Sequence, residues 1–174
     1  SQAQWQRFFS ERMFIYFSRL YEKYRRPIIP IAIFSYDDVK DEPGSFQVTF
    51  PFKEVLNFHY YTIELRKKNW RQYIKQDNPI AAALLSKMGY TEEERVQVKR
   101  EFLRMLVRLE LDPARMHLIT GFFDTYLELS EIEKQELQKE IHILDPEEER
   151  KIMELKTQWE KDAELKGKIE GKIE

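Results

Sequence analysis

The sequence predicts a helix-rich, mixed α+β protein, and three features support that prediction. Apolar residues recur at spacings of three and four over residues 3–26, as on one face of a helix. Between residues 28 and 65, short runs rich in Ile, Phe, Tyr and Thr are typical of β-strands. Beyond residue 77, helix-start signals follow one another at short spacing, which favours antiparallel α-helices.

Composition is that of a folded chain without cysteine chemistry. The 174 residues are 42% hydrophobic and 14% aromatic, so the chain can bury a core. The absence of Cys excludes disulfides, thiolate zinc sites and cysteine nucleophiles. No apolar run approaches the ~20 residues of a membrane span, so we expect no membrane partner and a cytoplasmic location.

Charge is unevenly distributed, although the formal net charge is only −2. Ser130 to Glu174 carries a net −5 and a single aromatic residue, Trp159, whereas residues 1–129 carry +3. This excludes a strongly basic protein but leaves room for a local basic face. The predicted regions are a helix with a sheet over 1–76, a helical subdomain over 77–129 and a charged helical tail over 130–174.

Strands are expected in the region that follows Pro27. Pro27 ends the first helix, and residues 28–34 are apolar enough to predict a strand covered on both faces, although Pro30 weakens its pairing. Phe46–Phe50 and Val55–Leu65 read as further strands. We therefore expect a short sheet of about three strands.

Helix starts are marked by caps and prolines. Gly89 is expected to close the helix that starts at Asn78-Pro79. The predicted starts are Asn78-Pro79, Thr91 with Glu94, Asp112-Pro113, Ser130 with Glu133, and Asp145-Pro146.

A basic segment follows the last strand, in a region that we expect to be helical. Cations beside the aromatic residues Trp70 and Tyr73 suit phosphates and bases, which makes the segment a candidate DNA-binding element. The alternative is a solvated helix whose two aromatic residues pack inward. The cations of this basic segment are Arg66, Lys67, Lys68, Arg71 and Lys75.

Arg12 and Tyr16 lie four residues apart on the first helix, with Arg19 one turn further. An Arg and a Tyr hydroxyl on one face could position a phosphate or orient a carboxylate on an adjacent strand. The alternative is an Arg that extends to solvent beside a half-buried Tyr.

No self-contained catalytic motif is present. His59, His117 and His142 have no partner at metal-ligand spacing, so we interpret them as ordinary residues. The acidic residues between Asp37 and Glu42 lack the spacing of a calcium loop and indicate a solvated turn.

Three long segments resemble the Rpn family of recombination-promoting nucleases, also described as YhgA-like or transposase-like proteins. They extend from Glu11 to Asp38, from Phe50 to Trp70 and from Asp77 to Pro113, and together they make up about half of the chain. The Gly-Lys-Ile-Glu pair over 167–174 is similar to the C-terminal repeats of such proteins.

The resemblance implies a PD-(D/E)XK-type core that cleaves DNA with Mg²⁺ or Mn²⁺ held by an Asp and a Glu. In the family, a Glu-x-Gln strand precedes Ser-Gln, and this chain begins at Ser1-Gln2. We therefore expect these carboxylates, and about two strands, to lie upstream of Ser1, so that the chain alone does not cleave. Residues 1–76 would be the second half of the core, and Arg12, Tyr16 and Arg19 would support the active site.

An alternative from another class stays open: a non-enzymatic helical interaction module or a degenerate mobile-element remnant. Its signature would be a homodimer formed through the last helix. There Ile152, Leu155 and Trp159 offer a narrow apolar seam.

Overall fold

The computed structural model describes residues 2–36 and 43–170, and backbone contacts divide the chain into two compact units, Ser1–Lys67 and Lys68–Glu174. It is a mixed α+β fold in which helices dominate, as predicted. The three regions predicted from composition stay a prediction.

Within its described residues, the first unit contains one long helix and four short strands. In chain order they are α1 (Gln2–Tyr24), β1 (Ile31–Phe34), β2 (Ser45–Phe50), β3 (Lys53–His59) and β4 (Tyr61–Glu64). Strand β1 pairs with β4 in parallel, and β2 pairs with β3 as an antiparallel hairpin.

The strands therefore do not join in the single sheet that was expected, but form two separate pairs. The segment predicted as one strand over 55–65 is split at Tyr60, whose side chain is buried and whose hydroxyl bonds to Ser10 and to the Pro43 carbonyl. Its N–H donates to the Gly44 carbonyl at 2.9 Å. This anchoring divides the pairing between two sheets of two strands each.

Strand β1 is covered on one face only, which corrects the prediction of two covered faces. Ala32 and Phe34 are buried against α1 residues, but Ile31 and Ile33 are 51% and 54% exposed. Pro30 lies just before the strand, where its carbonyl accepts from the Tyr61 N–H. The apolar run reflects a strand with a single buried face, not one with both faces buried.

The second unit is helical. Its helices are α2 (Pro79–Leu84), α3 (Arg95–Leu109), α4 (Pro113–Tyr126), α5 (Glu131–His142) and α6 (Pro146–Glu170).

Four predicted helix starts are confirmed in this unit, and at the fifth, Thr91, a 3₁₀ turn over Glu92–Glu94 leads into α3 at Arg95. Asn78, Asp112 and Asp145 accept hydrogen bonds from the first helical N–H groups, and the two capping boxes form. Gly89, however, does not close α2 in a left-handed conformation. The helix tightens into a 3₁₀ turn over Leu85–Lys87, and Gly89 bridges to Asn69 instead.

The core of the second unit forms around α3. Val98, Phe102 and Leu106 are fully buried, and Phe102 stacks on Phe123 of α4 at 3.8 Å between ring centroids. Helices α2, α5 and α6 also contact α3.

The last helix contributes to this core. Ile152 is 0% exposed, and Leu155 and Trp159 pack against the same cluster. The seam that was expected to join two copies therefore packs against its own unit, which contradicts the predicted dimer contact.

Candidate nucleic-acid interface

Helix α1 exposes several cations, because the residues that pack against the strands occupy one side of the helix. Phe9, Met13, Phe14 and Phe17 pack against the buried residues of the strands. The helix ends at Tyr24, ahead of Pro27, and the next residue, Arg25, has a left-handed φ of 49°. The opposite side of α1 is left to polar and aromatic side chains.

Four residues on that side form what we call the α1 stripe: Arg12, Tyr16, Arg19 and Lys23. Their spacing of four, three and four residues places them within about 60° of the helix circumference at ~100° per residue. All four are exposed. The stripe contains no acidic residue, since Glu11 and Glu22 lie outside that arc.

The structure brings Arg12 and Tyr16 together, as their spacing predicted. The Arg12 Nη2 donates to the Tyr16 hydroxyl at 3.1 Å, and the Arg12 Cζ lies 5.7 Å from the Tyr16 ring centroid. Tyr16 is 48% exposed. Both groups face solvent, and their role toward a phosphate or a carboxylate stays a prediction.

A second cation lies beside a ring at the end of α1. The Lys23 Nζ is 5.1 Å from the Tyr24 ring centroid, and Tyr24 is 54% exposed. Leu20 is exposed between Tyr16 and Tyr24 along the helix. The pairing of Lys23 with Tyr24 was not predicted from the sequence.

The basic segment is divided between the two units and is not a regular helix. Two 3₁₀ turns, Leu65–Lys67 and Trp70–Gln72, replace the expected helix. Trp70 is 2% exposed and Tyr73 packs on the same core, so the inward-packing alternative is confirmed for both rings. Trp70 cannot stack on a base.

Lys67 and Arg71 of the basic segment have acidic partners. Within the first unit, the Lys67 Nζ lies 2.5 Å from a Glu64 oxygen. Within the second, the Arg71 Nη1 lies 2.5 Å from Glu94 Oε1. The Thr91 N–H and the Arg71 guanidinium together lower the pKa of Glu94.

The other cations, Arg66, Lys68 and Lys75, have their side chains at least partly exposed. The proposed DNA contacts of the basic segment stay a prediction.

The cations of α3 are used inside the second unit. Arg100 and Arg104 both bond to the buried Glu101, and they also reach Glu140 and Glu148 at 3.1 and 2.7 Å. Lys99 pairs with Asp124, yet burial outweighs this partner and lowers the pKa of the Lys99 ammonium. These side chains hold α3 to its neighbours.

No group of three or more His, Asp or Glu side chains that could hold a metal ion occurs among the described residues. His59 and His117 are exposed, and the His142 Nδ1 lies 2.5 Å from Glu149. The acidic turn between Asp37 and Glu42 lies outside the described residues.

Comparisons with protein-family models, with curated proteins and with solved structures find no match. Across the described part of the chain, no helix is long and apolar enough to cross a membrane.

Proposed function

We propose that this chain is part of a divalent-metal-dependent DNA endonuclease of the Rpn type, linked to recombination, and that α1 contacts the DNA backbone. The observation that carries the proposal is the alignment of three exposed cations, Arg12, Arg19 and Lys23, without an acid on the same arc of α1. The Rpn-like segment from Glu11 to Asp38 includes all three.

The spacing of these cations suits a row of phosphates. A rise of 1.5 Å per residue puts Arg12 and Arg19 about 10 Å apart along the helix, and Lys23 about 6 Å further. One strand of a duplex carries a phosphate every ~3.4 Å of its axis, so the three cations reach different phosphates. A guanidinium also binds phosphate oxygens through two parallel N–H groups.

The divalent ion enters the proposal through the family resemblance alone. Mg²⁺ or Mn²⁺ would supply an activated water and would neutralise charge on the scissile phosphate. The described residues do not offer a ligand set that fits such an ion. The proposal therefore assigns no metal ligand to this part of the chain and derives no step through the metal.

The test is reversal of the stripe's charge. Replacing Arg12, Arg19 and Lys23 together by Glu should lower the affinity for a labelled 20-base-pair duplex by at least about tenfold at low salt. The slope of log affinity against log salt should become shallower by about 2–3, because three phosphate contacts are lost. Fluorescence anisotropy over a salt series measures both quantities.

A matched control carries the same change of charge on α5 and α6, at the exposed residues Lys134, Lys139 and Arg150. This control should keep the wild-type salt slope. If both triple variants reduce binding equally, net charge and not the α1 stripe determines the affinity. If the wild-type chain does not bind DNA, the proposal is wrong.

The basic segment is tested separately. Replacing Arg66, Lys67 and Lys68 by Glu should weaken DNA binding less than reversal of the α1 stripe, because Lys67 already has an acidic partner. An equal or larger loss would place the main contact on the basic segment.

A further inference from the structure

We infer that the α1 surface prefers single-stranded DNA to duplex, an inference that rests on the proposed function and names its substrate. Two rows of exposed side chains run side by side along α1. Arg12, Arg19 and Lys23 form the cationic row. Tyr16, Leu20 and Tyr24, each four residues from the next, form an apolar row.

Both tyrosine rings of the apolar row are open to a partner. Arg12 bonds to the hydroxyl end of Tyr16, and about half of that side chain remains exposed. Tyr24 is more exposed than Tyr16, and the Lys23 ammonium lies close to its ring. A base that stacks on either ring therefore has a cation close at hand for its phosphate.

The distance between the two tyrosine rings determines how a single DNA strand would lie along α1. Eight residues of helix place Tyr16 and Tyr24 about 12 Å apart, with a rotation of about 80° around the axis. At that separation the two rings would take different bases of the same strand. Leu20 lies midway and offers an apolar surface to the bases between them.

A duplex cannot use the apolar row in this way. Its bases stack on one another, so their faces are not available to tyrosine rings, and only phosphates would meet the cationic row. A single strand can turn its bases outward and add a stacking contribution at each ring. The three cations of the cationic row would then bind phosphates of the same strand whose bases stack on the tyrosine rings.

The experiment compares a labelled thymidine 20-mer with a 20-base-pair duplex in the same buffer. The single strand should bind at least about tenfold more tightly, since each of the two rings should contribute at least about a fivefold gain by stacking on a base. Replacing Tyr16 and Tyr24 by Ala should remove that advantage, so that the affinity for the single strand falls to about that for the duplex. Replacing both by Phe should preserve it, because the ring remains.

Tyr126 on α4 supplies the matched control. It is similarly exposed, and the Lys87 Nζ lies 4.7 Å from its ring centroid, so it repeats the cation–ring pair outside α1. Tyr126→Ala should leave binding of the single strand unchanged.

The outcomes separate the inference from the proposed function. Equal or tighter binding of the duplex overturns the preference for single strands and leaves DNA binding by the α1 stripe standing. Loss of affinity in the Phe variant as large as in the Ala variant overturns the stacking role as well. No binding of either DNA overturns both proposals.

Discussion

Glu133 connects a helix cap to an ion pair. Its Oε2 accepts the Ser130 N–H at 2.7 Å, and its Oε1 accepts the Arg95 Nε–H at 2.8 Å. Burial alone would raise the pKa of Glu133, but the bonds from Ser130 and Arg95 outweigh it and lower the pKa. The Glu133 carboxylate in turn raises the pKa of Arg95. One side chain thus fixes the start of α5 against α3.

Because the pKa of Glu133 in the folded chain lies below its ordinary value of 4.5, Glu133 stabilises the fold above that pH. This contribution is lost as the pH falls below 4.5 and through the lowered pKa. Glu133→Gln should reduce the free energy of unfolding by about 1–2 kcal/mol at pH 7, and the difference from wild type should shrink in acid. Urea unfolding at pH 7 and in acid measures the difference in the free energy of unfolding between the variant and wild type.

The control for this prediction is Glu136→Gln, an exposed position on the same helix. It should change the free energy of unfolding by less than about 0.5 kcal/mol at either pH. A pH-independent loss in Glu133→Gln would show that the carboxylate's charge does not contribute.

At the scale of elements, the apolar seam of α6 packs against the core of its own unit. Ile152 is fully buried, and Arg104 of α3 reaches Glu148 one turn earlier on α6 at 2.7 Å. The bond to Glu148 raises the pKa of the Arg104 guanidinium. Apolar packing and an ion pair therefore hold the same stretch of α6 to α3.

Ile152→Ala should lower the free energy of unfolding by about 2–4 kcal/mol, because it leaves a cavity in a packed core. Ile143→Ala, at an exposed position, is the matched control and should cost less than about 0.5 kcal/mol. Chemical denaturation measures both losses, and sedimentation should show the same mass for wild type and Ile152→Ala. If Ile152→Ala instead has a lower mass than wild type, the seam on α6 joins two copies of the chain.

The helix starts could be predicted from the sequence because capping hydrogen bonds join residues that are close together in the chain. Ser130 and Glu133 are three residues apart, and their capping bonds need nothing else. The partner of Ile152 could not be predicted, since a seam on α6 looks the same whether it meets α3 or a second copy. For the same reason, nothing local separates the buried Trp70 from the exposed Tyr16.

The site was predicted in part. The spacing of Arg12, Tyr16 and Arg19 placed them on one face, because helical periodicity alone decides that. The addition of Lys23 and Tyr24 required knowledge of which side of α1 meets the strands. The sequence carried one usable signal: Lys23 continues the four-three-four spacing of the stripe.

At the scale of the molecule, the two units differ greatly in their cores. Among the residues whose burial the structure describes, the buried cluster of the second unit includes 18, whereas that of the first has four: Ala32, Phe34, Phe58 and Tyr60. Because buried apolar area is the main source of stability, local opening should require more free energy in the second unit.

Hydrogen exchange of the intact chain tests this difference. Amides in the middle of α3, around Phe102, should exchange most slowly, and those of β1 and β4 should exchange at least about tenfold faster. Mass spectrometry of peptic fragments resolves the two regions. Protection of β1 equal to that of α3 would contradict the expectation.

The parallel pairing of β1 with β4 has a consequence for the order of folding. Ile31 lies beside Tyr61, so about thirty residues must close into a loop before the first bond of this sheet can form. The helices of the second unit nucleate at caps whose partners are at most three residues away. During refolding, helical signal should therefore appear before the β1–β4 ladder, and the α1 stripe would gain its strand support last.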